Sequence, residues 1–413
     1  MDAASLQMVT DHGQRADARA TAGTLPWQLA AVVFAATSVI VGLIWDISWH
    51  MTIGRDTFWT PAHLAIYTGG AVAGLACGFE VLRRSFFLGA TSADGVTVWR
   101  LFKGPLGGWL CIWGAVAMLT SAPFDDWWHA AYGLDVKIIS PPHALLALGF
   151  ITILGGALIM AVAEQGREAD RREAYRREAD RREASVVGGA EPAGIAPYIV
   201  AYAGGLVLAM LSVFTTEYHD REAMHLGSFY VVSSLVFPFA LVAAARSTRL
   251  RYGATATAIV YTLVMCVQLW LLPLFEGSPK LGPIRTAVTH MVSLDFPLLL
   301  LLPAIAIDLL MPRLRERRAW LQAAALGVLF LIVHVATQWP FANFLVSDAS
   351  RNWFFNTDNI PYQMPPDWLR AMRQFEIESA SQTVRALGVA VVLAVLSARA
   401  GLGWGSWLRS VRR

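Results

Sequence analysis

A chain of 413 residues with 56% hydrophobic and only 15% charged residues is not a water-soluble domain, because soluble domains carry about 25% charged residues. The net charge of +3 is small and the basic residues sit between apolar blocks, which excludes a nucleic-acid partner. Cys77, Cys111 and Cys266 each lie inside an apolar block, so they read as small buried hydrophobes, with no disulfide framework and no cysteine-based metal motif.

Residues 1–26 form a polar tail with no signal-peptide core, so the first span is expected to act as its own insertion signal. Apolar blocks follow at 27–45, 62–82, 105–122, 142–163, 195–214, 227–246, 254–274, 290–311, 319–338 and 383–402. Crossing ~30 Å of hydrocarbon takes roughly 20 helical residues. The sequence therefore predicts an all-α polytopic transmembrane helical bundle of about ten spans. Arg83, Arg84, Arg100 and Lys103 follow the second block, and Arg246, Arg249 and Arg251 the sixth. Arg313, Arg315, Arg317 and Arg318 follow the eighth, and Arg409, Arg412 and Arg413 end the chain. Every even-numbered exit is basic, which predicts cytoplasmic termini and an outer face that holds most of the histidines.

The segment 166–190 is a charged linker in which READR-type pentapeptides repeat over 167–184, a pattern expected of a solvated helical connector. It separates a four-span module, 27–165, from a six-span region, 191–413. Within the latter, the outer segment 339–382, with Trp353, Phe354, Phe355, Tyr362 and Trp368, is expected to cap the bundle with aromatic anchors.

The four-span module contains an internal repeat. WDISWHMTIGRDTFWTPAH, 45–63, has a counterpart in FDDWWHAAYGLDVKIISPPH, 124–143. With His50 set over His129, Asp46 falls on Asp125, Trp49 on Trp128, Gly54 on Gly133 and Asp56 on Asp135. After one inserted residue, Pro61 falls on Pro141 and His63 on His143. In each copy an aspartate and a histidine are spaced i, i+4, which puts them on one face if the helix runs that far. Thr60-Pro61 and Ser140-Pro141 carry N-cap and first-turn signatures, so each second histidine is the third residue of the next helix.

Two imidazoles and a carboxylate suit copper, zinc or non-heme iron and leave positions open for water or substrate. Ionisable side chains at membrane depth cost at least a few kcal/mol unless paired, so their repeated occurrence points to a bound group. Asp56 and Asp135 are candidates to support the ligand imidazoles, since metal-bound histidines usually donate their other N–H to a carboxylate or carbonyl. Trp45, Trp49, Trp127 and Trp128 are expected to wall the sites. Weaker candidates are Glu217, His219 and His225, together with Asp220, at the end of the fifth span. His290, Asp295 and His334 are further polar residues, expected to be satisfied by hydrogen bonds between helices.

The run WHMTIGRDTFWTPAH, with Asp46 four residues before His50 and His63 thirteen after it, resembles the metal motif of the C subunit of particulate methane and ammonia monooxygenases. The resemblance covers roughly 27–165. It implies copper on Asp46, His50 and His63, and a second site on Asp125, His129 and His143, where Asp125 stands in place of the family's asparagine. It further implies oxidation of a small substrate with dioxygen, beside separate A- and B-type subunits and within a homo-oligomer. The implied location is the inner (cytoplasmic) membrane of a prokaryote, with membrane lipid around it and the metal sites outward. Competing expectations are a non-catalytic copper-handling subunit and a transporter that uses the same residues. Discontinuous apolar helices would favour the transporter.

Overall fold

A backbone surrounded by hydrocarbon must satisfy its own amides, and long helices do so within one segment. The computed structural model describes residues 25–88, 95–133, 140–181, 194–365 and 367–411. Its helices in the first half are α1 (Trp27–Thr52), α2 (Pro61–Phe86), α3 (Leu106–Tyr132) and α4 (Pro141–Arg181). A small antiparallel ribbon, β1 (Val96–Val98) and β2 (Phe102–Gly104), joins α2 to α3. The second half has α5 (Ala196–Phe214), α6 (Gly227–Ser247), α7 (Gly253–Leu271), α8 (Leu301–Leu310), α9 (Ala319–Leu345) and α10 (Ala380–Ser410). The chain is thus an all-α polytopic membrane protein. Among the described residues, nine helices are long and apolar enough to cross a bilayer.

Helices pack in hairpin pairs, α1 on α2 and α3 on α4, and α6 packs on α10. Backbones approach closely where side chains are smallest. A Cβ on Gly114 would strike the Thr152 hydroxyl and the Gly149 carbonyl of α4, so the bare glycine lets α3 and α4 approach closely there. α4 packs on α5 and links the two halves. At the same end Gln165 donates Nε2 to Ser247 O (3.0 Å) and accepts from Arg249 N (2.8 Å).

The eighth expected span is not a helix along its length. Its second part forms α8, only ten residues long, and His290–Leu300 is not helical. Pro297 disfavours helical geometry at Phe296 and supplies no amide hydrogen. The freed amides find side chains instead. Val292 N donates to Thr52 Oγ1 (2.8 Å), Leu294 N to Gln268 Oε1 (3.2 Å), Leu298 N to Tyr261 OH (3.1 Å) and Leu299 N to Gln338 Oε1 (3.0 Å). The segment still traverses the bundle beside α7. Val292 sits at the last turn of α1, and Asp308 of α8 accepts from Ala254 N and Thr255 N at the start of α7.

Helix ends also run past the expected apolar limits. α1 and α3 continue to Thr52 and Tyr132, carrying their Asp/His pairs on helix, and α4 continues through the charged repeat to Arg181. An i, i+4 pair, Arg177 Nη2–Glu173 Oε1 (2.9 Å), supports that extension.

Candidate metal centre

Both repeated trios assemble at one end of the bundle. In the first hairpin, His63 Nε2 lies 3.1 Å from Asp46 Oδ1 and 3.5 Å from Asp56 Oδ2. His50 Nε2 lies 3.9 Å from Asp46 Oδ2 and 3.6 Å from Asp56 Oδ2. Two carboxylates and two imidazoles thus alternate in a closed ring. Asp56, expected behind the ligands, stands in the ring itself. In the second hairpin, Asp125 bridges two imidazoles, with Oδ2 3.4 Å from His129 Nε2 and Oδ1 3.5 Å from His143 Nε2. Asp135 lies outside the described residues.

The tautomers follow from the other ring nitrogen. His63 Nδ1 is 2.9 Å from Thr57 O, and His129 Nδ1 is 3.2 Å from Gly133 O. A carbonyl oxygen only accepts, so each Nδ1 carries the hydrogen. In the neutral ring, each Nε2 then turns a lone pair toward a carboxylate. Acceptor facing acceptor is repulsive unless a proton or another cation lies between. Asp46 Oδ1 and Asp125 Oδ1 match that description, since both are buried and neither has a well-aligned hydrogen-bond donor. The same atom is left over in both copies.

Pairwise separations of 3.1–3.9 Å in the first trio and 3.4–3.5 Å in the second are near the ~3.3 Å donor–donor edge of a tetrahedral site with bonds of ~2.0–2.1 Å. The contacts are pairwise, however, carboxylate to imidazole. Among the described residues, no three His, Cys, Asp or Glu side chains form a ready-made cage about one point. Donor chemistry and the leftover carboxylate oxygens fit a metal ion, and binding would draw the donors round a common centre.

The hairpins differ in their support. In the first, Thr60 Oγ1 accepts from Thr57 N (2.8 Å), which fixes the loop whose carbonyl holds His63. Trp49 Nε1 donates to Arg55 O (3.0 Å). The second half of the chain then closes over this loop. Tyr362 N donates to Met51 O (3.2 Å), Lys280 N to Ile53 O (2.9 Å), and the buried Tyr362 ring packs on Gly54. Tyr362 is therefore a brace, where an interfacial anchor was expected. In the second hairpin Ser140 Oγ caps its own helix by accepting from His143 N (3.3 Å). Phe124, Trp127, Trp128 and Tyr132 form one ring cluster, mostly edge-to-face, with Trp127 55% and Tyr132 68% exposed. Trp45 and Trp49 pack against the hydrophobic core, and Trp127 is exposed.

Tyr67 was not apparent from the repeat. Its ring centroid is 6.1 Å from that of His63 and 5.0 Å from that of Phe58, and its hydroxyl is within electrostatic range of Asp46, Asp56 and Asp125. It stands between the two trios, one helical turn after His63. Ala147 occupies the equivalent place in the second copy, so aligning the copies hides it.

The weaker candidates disperse. Glu217 is exposed on a single 3₁₀ turn. His225 is stacked between Trp339 and Phe375, with Nε2 3.2 Å from Trp339 O. His219 is buried with Nε2 3.0 Å from Ser233 Oγ, and burial pushes its pKa down to about 4. Asp295 pairs with the buried Arg221 (3.1 Å), and His290 Nδ1 lies 2.9 Å from Thr289 Oγ1. His334 is fully buried among Phe229, Tyr230 and Phe330, and neither ring nitrogen has a hydrogen-bond partner. The expected interhelical hydrogen bond is not made there.

Comparison with known proteins returned no matching family model, no matching curated protein and no matching solved structure.

Proposed function

We propose that the first four helices are a copper-binding module of the monooxygenase C-subunit type. Asp46, His50 and His63 would hold one copper, and Asp125, His129 and His143 a second. The observation that carries this reading is a pairing found in both hairpins, at His63 in the first and at the non-equivalent His129 in the second. A backbone carbonyl takes the Nδ1 hydrogen of one imidazole, and the opposite nitrogen confronts a carboxylate whose Oδ1 has no donor. That is the hydrogen-bond arrangement that orients a metal-binding histidine. When bound, copper supplies the redox chemistry with dioxygen.

The chain's own residues have separate tasks in this reading. Thr57 O and Gly133 O fix the imidazole tautomers. Asp56 adds a second negative charge at the first site and so favours a cation there. Trp45 and Trp49, packed against the core, anchor the helix end that carries Asp46 and His50. Tyr67, whose hydroxyl lies within electrostatic range of Asp46, Asp56 and Asp125, would serve as a hydrogen-bond donor between the sites. The substrate class is small and apolar or nearly so, as with methane, ammonia or short alkanes. A soluble electron-delivering domain would belong to separate subunits of the A and B type, with the trio end facing outward from an inner membrane.

Elemental analysis of protein purified from native-like membranes tests the reading directly. About one copper is expected to be lost in each of His50→Ala and His129→Ala. Zinc or iron in its place keeps the sites and removes the copper chemistry. No metal in the wild type, or unchanged metal in both folded variants, ends the proposal.

A second reading, transport, draws on the discontinuous segment His290–Leu310. Broken helices at membrane depth are a recurring feature of transporters. Here, though, the freed amides are already satisfied by Thr52, Gln268, Tyr261 and Gln338, which favours a structural role for the break. Uptake of a cation into proteoliposomes, absent from protein-free vesicles, would reverse that preference.

A further inference from the structure

At the end of the bundle opposite the trios, α1, α2, α3 and α4 enclose a cavity of about 70 Å³. Its polar lining includes Glu80, Arg84, Glu164, Arg167 and Gln28, and Ile159 and Ala163 form part of its apolar wall. Both glutamates are only 4% exposed. A carboxylate buried to that degree needs charged partners. Glu80 accepts from Arg83 Nε (2.9 Å), Arg84 Nε (2.6 Å) and Gln28 Nε2 (2.9 Å). Glu164 accepts from Arg167 Nη1 (2.6 Å) and Arg171 Nη2 (2.6 Å).

The second helix of each hairpin therefore carries, at this end of the bundle, one buried carboxylate clasped by two guanidiniums. One guanidinium of each pair lines the same cavity. The lining itself holds two carboxylates and two guanidiniums, and the second guanidinium of each clasp, Arg83 and Arg171, stands outside it, so the carboxylates are neutralised from both sides. The glutamates also hold the forks still. Glu164 takes a single nitrogen of Arg167, and a guanidinium carries five donors in one plane, a geometry suited to phosphate. The first turns of α1 and α3, which carry Gln28 and Gly107, border the cavity without a side-chain cap. Their dipoles add positive potential. The apolar wall is suited to hydrocarbon.

We propose that this cavity binds the phosphate group of an anionic membrane lipid, with Arg84 and Arg167 as its ligands. The excess of basic residues at this end of the chain would place it in the cytoplasmic leaflet, where such lipids are held by basic pockets between helices. The proposal is independent of what the trios bind.

The test compares thermal midpoints of lipid-stripped protein in nanodiscs of phosphatidylcholine alone or mixed with phosphatidylglycerol. Phosphatidylglycerol is expected to raise the wild-type midpoint. The rise should be lost in Arg167→Gln and in Ala163→Leu, which fills the cavity and leaves the ion pairs in place. Circular dichroism confirms that both variants fold. If Arg167→Gln unfolds because Glu164 loses a partner, Ala163→Leu decides alone. Titrating inorganic phosphate into the phosphatidylcholine discs at fixed ionic strength separates the sources. A rise with phosphate equal to that with the lipid keeps the site and assigns it to a soluble anion, and a rise with the lipid alone assigns it to the headgroup. No rise with either probe, or a full rise in both folded variants, overturns the proposal.

Discussion

The two hairpins share their polar residues but not their surroundings. Each has a positive-φ glycine directly after its Asp/His helix, Gly54 at φ 79° and Gly133 at φ 87°. A Cβ on Gly54 would collide with the hydroxyl of Tyr362, whereas a Cβ on Gly133 would meet nothing within contact distance among the described residues. The first site is clasped by segments from the distant half of the chain. Among the described residues, the second is held by its own cap and its own aromatic cluster. Duplicated ligands therefore need not give duplicated sites, because the outer arrangement that sets donor positions lies elsewhere in the sequence.

The largest effect that would sharpen this contrast is steric. Gly54→Ala is expected to cost about 3 kcal/mol or more, combining overpacking with left-handed backbone strain. Gly133→Ala should cost about 1–2 kcal/mol, from the strain alone. Equal shifts in thermal midpoint for the two variants would refute the difference in bracing.

Acid should act on the second half next. His219 titrates near 4 in the folded protein and near 6.5 when unfolded. Between those values the unfolded chain binds a proton that the folded one does not, so stability falls as pH drops through this window, by up to about 3 kcal/mol. His219→Gln should flatten the dependence of the thermal midpoint between pH 6.5 and 4, and an unchanged slope would assign the loss to other groups.

A smaller effect should divide the two sites. Tyr362→Ala removes the ring that braces the first loop, and is expected to weaken metal retention at that site by about tenfold, comparable to other losses of ligand support. The second site should be unaffected, as read by competition with a chelator in a His129→Ala and a His50→Ala background. The smallest effect is expected at His334. Its imidazole has no partner and sits among aromatic rings, so His334→Phe should change stability by less than about 1 kcal/mol, or raise it. A large loss would show that the imidazole is used.

Much of this architecture could be read from the chain because hydrocarbon imposes long apolar helices, and because the repeat printed the Asp/His/His spacing twice. The register of both trios at helix ends was legible from Thr60-Pro61 and Ser140-Pro141. The break at Pro297 was not, since MVSLDFPLLLLLPAIAIDLL is apolar enough for a helix. What decides against one is a set of amide partners on α1, α7 and α9, far away in sequence. Asp56 was visible as a candidate, but its place in the ring depends on the turn at Gly54. Tyr67 was hidden because its role comes from α3 lying alongside α2, which no local pattern encodes. Tyr362 looked like one more aromatic in an outer segment until its backbone met Met51.

The length of α4 has one further consequence. Its apolar part ends near Ala163, and the helix continues for 18 residues to Arg181, about 27 Å at 1.5 Å per residue. Charges at a bilayer surface are screened over about 8 Å at physiological ionic strength. The far end of the helix thus lies at most about three screening lengths beyond Ala163, and its base is no free stalk, because Glu164 and Gln165 are buried and Glu168 accepts from Ala196 N.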